Sequence, residues 1–89
     1  MDSINKIICK YITVNWLAPW LKEGKSQVAF GNKHNVEEST VRKLKGEKEY
    51  RIPVETLYRI CKERNINLSE FFKELEEKHP PIRVNKSKK

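Results

Sequence analysis

Apolar residues recur at intervals of three and four along most of this sequence, and that spacing predicts helices rather than strands. The first segment is an example, because Ile4, Ile7, Ile8, Tyr11 and Ile12 fall on one helical face. The one ambiguous stretch for a strand is residues 50–54. Because 89 residues allow only one small core, the pattern predicts an all-α domain of five or six short helices.

The segment from residue 26 to residue 46 predicts two short helices joined by a tight turn. Ser26 can cap the first helix, and Gly46 can end the second, which covers residues 37–45. Asn35 lies between them and tolerates the left-handed conformation that a tight turn needs. Gly31 is a small residue where the two helices would cross. This combination is typical of a helix-turn-helix.

Other residues mark the remaining helix ends. Pro19 indicates either a kink in the first helix or the start of a separate one, and the sequence leaves both open. Pro53 opens a later helix with an apolar face that we expect to include Val54. Asn67 and Glu70 have the spacing of a capping box at the start of the last helix.

Some apolar residues can be assigned to the interior from their spacing. Val41 and Leu44 are three residues apart in the second helix of the helix-turn-helix, so we expect both to face the core. Trp16 and Trp20 are four apart, and we expect them in the core or on a dimer surface rather than in a ligand site.

The net charge of +7 is unevenly placed along the chain. Residues 80–89 hold four basic and no acidic residues, so residues 1–79 carry only +3. Within the chain, residues 42–51 have an excess of three positive charges beside the second helix of the helix-turn-helix. A basic patch in that place favours contact with nucleic acid, because phosphates attract it.

Several functional classes are not supported by any pattern. We expect no membrane span, no signal peptide, no metal site, no cofactor or small-molecule ligand, and no enzymatic activity, because no nucleophile and base, ligand cluster or phosphate loop is recognisable. Cys9 and Cys61 are expected to be reduced core residues of a cytoplasmic protein. His34 and His79 are expected to be exposed turn residues.

Residues 26–46, 54–61 and 66–72 together resemble the Cro/phage-repressor (XRE-type) helix-turn-helix family. The resemblance implies a lambda-repressor-like domain of five helices, a homodimer as the binding form and a double-stranded DNA operator as the ligand. The sequence departs from the family pattern at Gly31, where alanine is usual, and at His34 and Asn35, where an apolar residue and glycine are usual. The segment before residue 25 is a poor match.

The resemblance and the chemistry of the residues predict a DNA-binding surface. By resemblance, Gln27 meets a phosphate, while the first turn of the second helix faces bases or the backbone. By chemistry, Glu38 can accept from cytosine, Thr40 can contact the thymine methyl, and the basic residues attract phosphates. The predicted DNA-binding residues are Ser26, Gln27, Glu38, Ser39, Thr40, Arg42, Lys43, Lys45 and Lys48.

The predicted organisation is an N-terminal helical segment over residues 1–24, a helix-turn-helix core with two following helices over residues 25–79, and a disordered basic tail over residues 80–89. The alternative for the tail is a nonspecific DNA-binding arm. The predicted function is a sequence-specific transcriptional regulator, acting as a repressor at the nucleoid. The alternative is a helical protein-interaction module that kept the fold without DNA binding. In that case the apolar face of the first helix, with Trp16 and Trp20, would dock a partner helix.

Overall fold

A computed structural model describes residues 3–78, and every regular element in that range is helical. The elements are α1 (Ile4–Ile12), a π-helical turn (Thr13–Leu17), α2 (Ala18–Lys22), α3 (Gln27–His34), α4 (Glu38–Lys45), α5 (Val54–Glu63) and α6 (Leu68–Lys78). The all-α prediction is therefore confirmed, and residues 50–54 form no strand. The predicted tail over residues 80–89 and His79 lie outside the described residues.

Side chains at the helix starts supply the hydrogen bonds that the first turns lack. The hydroxyls of Ser3 and Ser26 each accept from the backbone N–H three residues further on, at 3.2 and 3.0 Å. At α6, the Asn67 side chain accepts from the Glu70 N–H at 2.9 Å, while the Glu70 carboxylate accepts from the Asn67 N–H at 3.2 Å. The predicted capping box is therefore confirmed.

The helical run from Ile4 to Lys22 continues through Pro19 by way of the π-helical turn. The N–H of Ala18 donates to the carbonyl of Thr13, five residues back, instead of four. Proline has no N–H to donate and its ring displaces the preceding turn, which favours a wider turn at this place. The sequence leaves open a kink or a separate helix at Pro19; in the structure the helical run is continuous, and Pro19 is the second residue of its last stretch, α2.

One apolar core is built from every part of the described chain. The α1 segment contributes its predicted face, of which Ile12 is fully buried, and Tyr11 meets Phe71 of α6 edge to face at 5.5 Å between ring centroids. Trp16 joins the same pair, with centroids 5.7 Å from each ring. The N-terminal segment therefore packs into the same core as the helices that follow it. The buried members are Ile7, Ile8, Cys9, Tyr11, Ile12, Trp16, Leu17, Phe30, Val41, Leu44, Ile52, Leu57, Ile60, Cys61, Phe71 and Leu75.

Two expectations about individual core residues have different outcomes. Val54 is 70% exposed, so the prediction that it shares the buried face of α5 is wrong. It is the first residue of α5 and lies one turn before Leu57, the first buried residue of that helix. Cys9 and Cys61 are free and buried, as predicted, and burial raises the pKa of each thiol to about 11. Both thiols are therefore protonated and inert near neutral pH.

Candidate nucleic-acid interface

A three-residue turn joins α3 to α4 and fixes the angle between them. Asn35 adopts the left-handed conformation, with φ 58° and ψ 43°, as the sequence predicts. The N–H of Val36 then donates to the carbonyl of Gly31 at 2.9 Å. A Cβ atom on Gly31 would lie 2.6 Å from the Val36 carbonyl oxygen, so the turn folds back onto α3 at a place that only glycine accommodates.

The α4 helix has one buried and one exposed face. Val41 and Leu44 are buried in the core, as predicted from their spacing. The exposed side chains of the other face are those of Ser39, Arg42, Lys43 and Lys45. Eight residues of α-helix are about 12 Å long, which is also about the width of the major groove of B-DNA. An exposed, basic, short helix of this kind has the dimensions to enter that groove.

Three of the predicted site residues meet where α4 begins. The amide of Gln27 donates to the Glu38 carboxylate at 2.6 Å, and the guanidinium of Arg42 donates to both carboxylate oxygens. These hydrogen bonds, from Arg42 first and Gln27 second, lower the pKa of Glu38. Glu38 is therefore ionised and held in one orientation, with Gln27 and Arg42 on either side of it. We call this set the Glu38 cluster.

The other predicted site residues lie around this cluster or at the far end of α4. Ser26 caps α3, and its carbonyl accepts from the indole N–H of Trp20 at 2.8 Å. Thr40 is half-buried and lines a groove between α3, α4 and α5. At the far end, the ammonium of Lys43 lies 5.6 Å from the centroid of the Tyr50 ring. Lys45 and Lys48 line a separate recess against α1.

His34 is not an exposed turn residue, and that prediction is wrong. It is the last residue of α3, it is 1% exposed, and its ring stacks on Phe30 at 4.0 Å between centroids. Its Nδ1 atom donates to the Phe30 carbonyl at 2.8 Å, which leaves Nε2 to accept from the guanidinium of Arg64 at 3.1 Å. This pairing requires the neutral imidazole. The spacing of four residues from Phe30 is the signal in the sequence, because it places both rings on one helical face.

Two more aromatic residues complete the support beneath α3. Trp20 packs edge to face on Phe30, with centroids 5.7 Å apart. The guanidinium of Arg64 lies 4.6 Å from the centroid of Trp16 while it donates to His34. Trp20 therefore supports α3 directly through Phe30, and Trp16 supports it through Arg64 and His34. The sequence leaves the core and a dimer surface open for Trp16 and Trp20, and in the structure both residues pack in or against the core.

We expect the domain to lose stability as the pH falls below about 6.5, because of His34. The pKa of His34 is lowered, first because burial penalises the imidazolium ion and then because Arg64 and Lys33 are cationic; the Phe30 carbonyl and Glu63 act in the opposite direction. As the pH falls, His34 is therefore protonated at a higher pH in the unfolded chain than in the folded chain. This contribution is complete above the unfolded pKa and is lost as the pH falls from there to the folded pKa. Urea unfolding between about pH 7.5 and about pH 5.5 measures it.

A glutamine provides the matched control for this pH dependence. His34→Gln keeps an amide donor for Phe30 and an oxygen acceptor for Arg64, but it does not titrate. The slope of stability against pH should therefore shrink in His34→Gln and persist in His79→Gln, the variant at the other histidine of the chain. If His79→Gln removed the slope instead, the assignment to His34 would be wrong.

Within residues 3–78, no group of three His, Cys, Asp or Glu side chains is placed to hold a metal ion. No helix of the same range has the length and apolar character needed to cross a bilayer. Compared with protein-family models, with curated proteins and with solved structures, the chain has no significant match to any of the three. The geometry of the described residues is therefore what bears on function.

Proposed function

We propose that this chain is a sequence-specific DNA-binding transcriptional regulator that reads the major groove with α4. The observation that carries the proposal is the exposed basic face of α4, set at a fixed angle by the glycine-dependent turn after α3. A helix held in this way can be inserted into the groove without deforming the core, since the side chains that it buries there, Val41 and Leu44, lie on its other face.

The Glu38 cluster gives this helix a leading edge with a defined hydrogen-bonding pattern. The carboxylate of Glu38 is 31% exposed while it is bonded to Gln27 and Arg42. A carboxylate at a base edge accepts from the amino group of cytosine, whereas Arg42 offers donors for phosphate or guanine. The negative charge weakens attraction to DNA in general, so its use at this place favours a role in sequence choice.

The proposed binding form is a homodimer acting as a repressor by occupying its operator. Two copies related by a two-fold axis would place their α4 helices in successive major grooves, about 34–36 Å apart. The operator would then be a palindrome. Such a regulator acts in the cytoplasm, at the nucleoid.

The protein-interaction alternative requires the apolar face of α1, most of which is already buried in the core of this domain. Of the apolar face of α1, Ile7, Ile8, Tyr11 and Ile12 are buried in this chain's own core, and Ile4 is 44% exposed. Trp16 is buried with them. Docking of a partner helix on these buried side chains would require the domain to open, so we favour DNA binding as the function.

Selection of bound sites from random double-stranded DNA tests the proposal. The expected result is a palindromic consensus whose half-sites are one helical turn apart. A gel shift on the selected site and on scrambled DNA, at several salt concentrations, then measures preference and salt dependence. Absence of binding at about 50 mM salt, or equal binding to scrambled DNA, would contradict the proposal.

Two variants separate affinity from sequence choice. Arg42→Ala with Lys43→Ala should weaken binding to every sequence and reduce the slope of log K against log salt by about 0.9 for each phosphate that is no longer neutralised. Glu38→Ala should instead reduce the preference for the selected site, because it removes the base-reading carboxylate and leaves the cations. The gel shift on selected and scrambled DNA distinguishes these effects. If both variants lowered the two affinities equally, our division of roles would be wrong.

A further inference from the structure

Four lysines from distant parts of the sequence line one recess beside the proposed DNA-reading helix. Lys6 and Lys10 come from α1, Lys45 is the last residue of α4, and Lys48 lies in the loop that follows. The recess has a volume of about 350 Å³ and opens to solvent. The resemblance covers no part of α1, so Lys6 and Lys10 are additional to the predicted site. We call these residues the lysine recess.

Specific hydrogen bonds hold the two walls of the lysine recess together. The hydroxyl of Thr13 donates to the carbonyl of Leu44 at 3.1 Å, which ties the end of α1 to the end of α4. One turn earlier in α1, the thiol of Cys9 lies 3.5 Å from the carbonyl of Tyr50, a sulfur hydrogen bond that fastens the loop. The positions of the lysines therefore follow from the packing of α1 against α4, and the recess is formed before any ligand arrives.

The charge of the recess is positive and uncompensated by close ion pairs. Glu47 and Glu49 also line it, which leaves an excess of two positive charges. In the part of the chain that the structure describes, the ion pairs within 4.0 Å join Lys25 to Glu23, Arg42 to Glu38 and Arg59 to Glu55, and the four recess lysines are in none of them. All four are exposed, so their ammonium groups can meet an anion.

We propose that the lysine recess binds the phosphodiester backbone of DNA beside the groove that α4 enters. This inference rests on the proposed function. When the first turn of α4 reaches base edges, its last turn lies about 10 Å away, near the phosphates that border a groove about 12 Å wide. Lys45 and Lys48 meet that strand first. Lys6 and Lys10, one helical turn apart on α1, extend the contact along the same strand.

The recess adds affinity and salt dependence without adding sequence information, because phosphates are the same at every base pair. Each phosphate neutralised by a lysine contributes about 0.9 to the slope of log K against log salt. The two α1 lysines together therefore contribute a slope of about 1.8. Between 50 and 200 mM salt, the unsubstituted chain should therefore lose about 12-fold more affinity than a variant without these two lysines.

The test compares variants of the whole chain with paired lysine substitutions on the selected DNA site. Lys6→Ala with Lys10→Ala should weaken binding at low salt, reduce the salt slope by about 1.8 and leave the sequence preference unchanged. Lys62→Ala with Lys73→Ala removes two exposed lysines of α5 and α6 that do not line the recess. This matched control has the same change in net charge. Circular dichroism melting of each variant verifies that it is folded, and Lys6→Gln with Lys10→Gln repeats the test without alanine.

The outcomes separate the two proposals. A flatter slope in both α1 variants, against an unchanged slope in the control, supports the recess. Equal slopes in the α1 variants and the control overturn the recess while leaving DNA reading by α4 intact. If the unsubstituted chain does not bind DNA at all, the proposed function fails and the recess fails with it.

Discussion

A Gly31→Val substitution should destabilise the domain by about 3 kcal/mol, the upper end of what overpacking usually costs. A Cβ atom at this position would lie 2.6 Å from the carbonyl oxygen of Val36, which is backbone and cannot rotate away. The next nearest atom, a methyl of Val41, would be 3.5 Å away, which is ordinary contact, so the clash with the backbone oxygen determines the cost. The gain in helix propensity over glycine is below about 1 kcal/mol and does not offset this.

Urea unfolding followed by circular dichroism measures the loss, and Gly46→Ala is the matched control. A Cβ atom on Gly46 meets its nearest neighbours at 3.5 and 3.6 Å, which is ordinary contact, and its φ of −73° suits any residue. Gly46→Ala should therefore change stability by less than about 0.5 kcal/mol. Equal stabilities of Gly31→Val and Gly46→Ala would mean that the turn after α3 does not approach Gly31 this closely.

The sequence predicts the features that depend on near neighbours along the chain. The caps at Ser26 and Asn67, the left-handed turn at Asn35 and the buried pair Val41 and Leu44 are all determined within three or four residues. A hydroxyl or amide at a helix start satisfies a free N–H whatever the rest of the fold does. These predictions are confirmed because tertiary contacts seldom alter such local features.

The errors arise where a partner lies far away in sequence. A polar residue beside a turn, such as His34, usually lies at the surface, but Arg64 lies 30 residues later and supplies the donor that makes its burial acceptable. Spacing alone places Val54 in the core, yet the way in which the first turn of α5 lies against the rest of the fold leaves it exposed. The spacing from Phe30 indicates the face on which His34 lies, but neither its partner Arg64 nor the exposure of Val54 could be obtained from periodicity.

The candidate site divides in the same way. Glu38 and Arg42 are four residues apart on one helix, so their pairing is local and follows from the sequence. The part contributed by Lys6 and Lys10 is not local, since 35 residues separate Lys10 from Lys45. The packing of α1 on the end of α4 brings them together, and only the fold reveals it.

A Phe30→Ala substitution should have the largest effect of all, a loss of about 3–5 kcal/mol. Phe30 is fully buried, and its ring is in contact with Trp20 on one side and His34 on the other. Its removal leaves a cavity beneath α3 and exposes the imidazole and indole rings to it. A domain of this size has a total stability of about 4–11 kcal/mol, so the variant should unfold near room temperature or in dilute urea.

Thermal melting of Phe30→Ala beside Val28→Ala separates the effect of removing this ring from a general effect of alanine in α3. Val28 lies on the same helix and is 54% exposed, so its removal should alter stability by less than about 0.5 kcal/mol. Because Phe30 joins the N-terminal helical run to the helix-turn-helix, Phe30→Ala should also lose the proposed DNA binding at temperatures where Val28→Ala retains it. A Phe30→Ala variant that melted with Val28→Ala would show that Trp20 and His34 close the cavity, and that the aromatic support does not hold α3 in place.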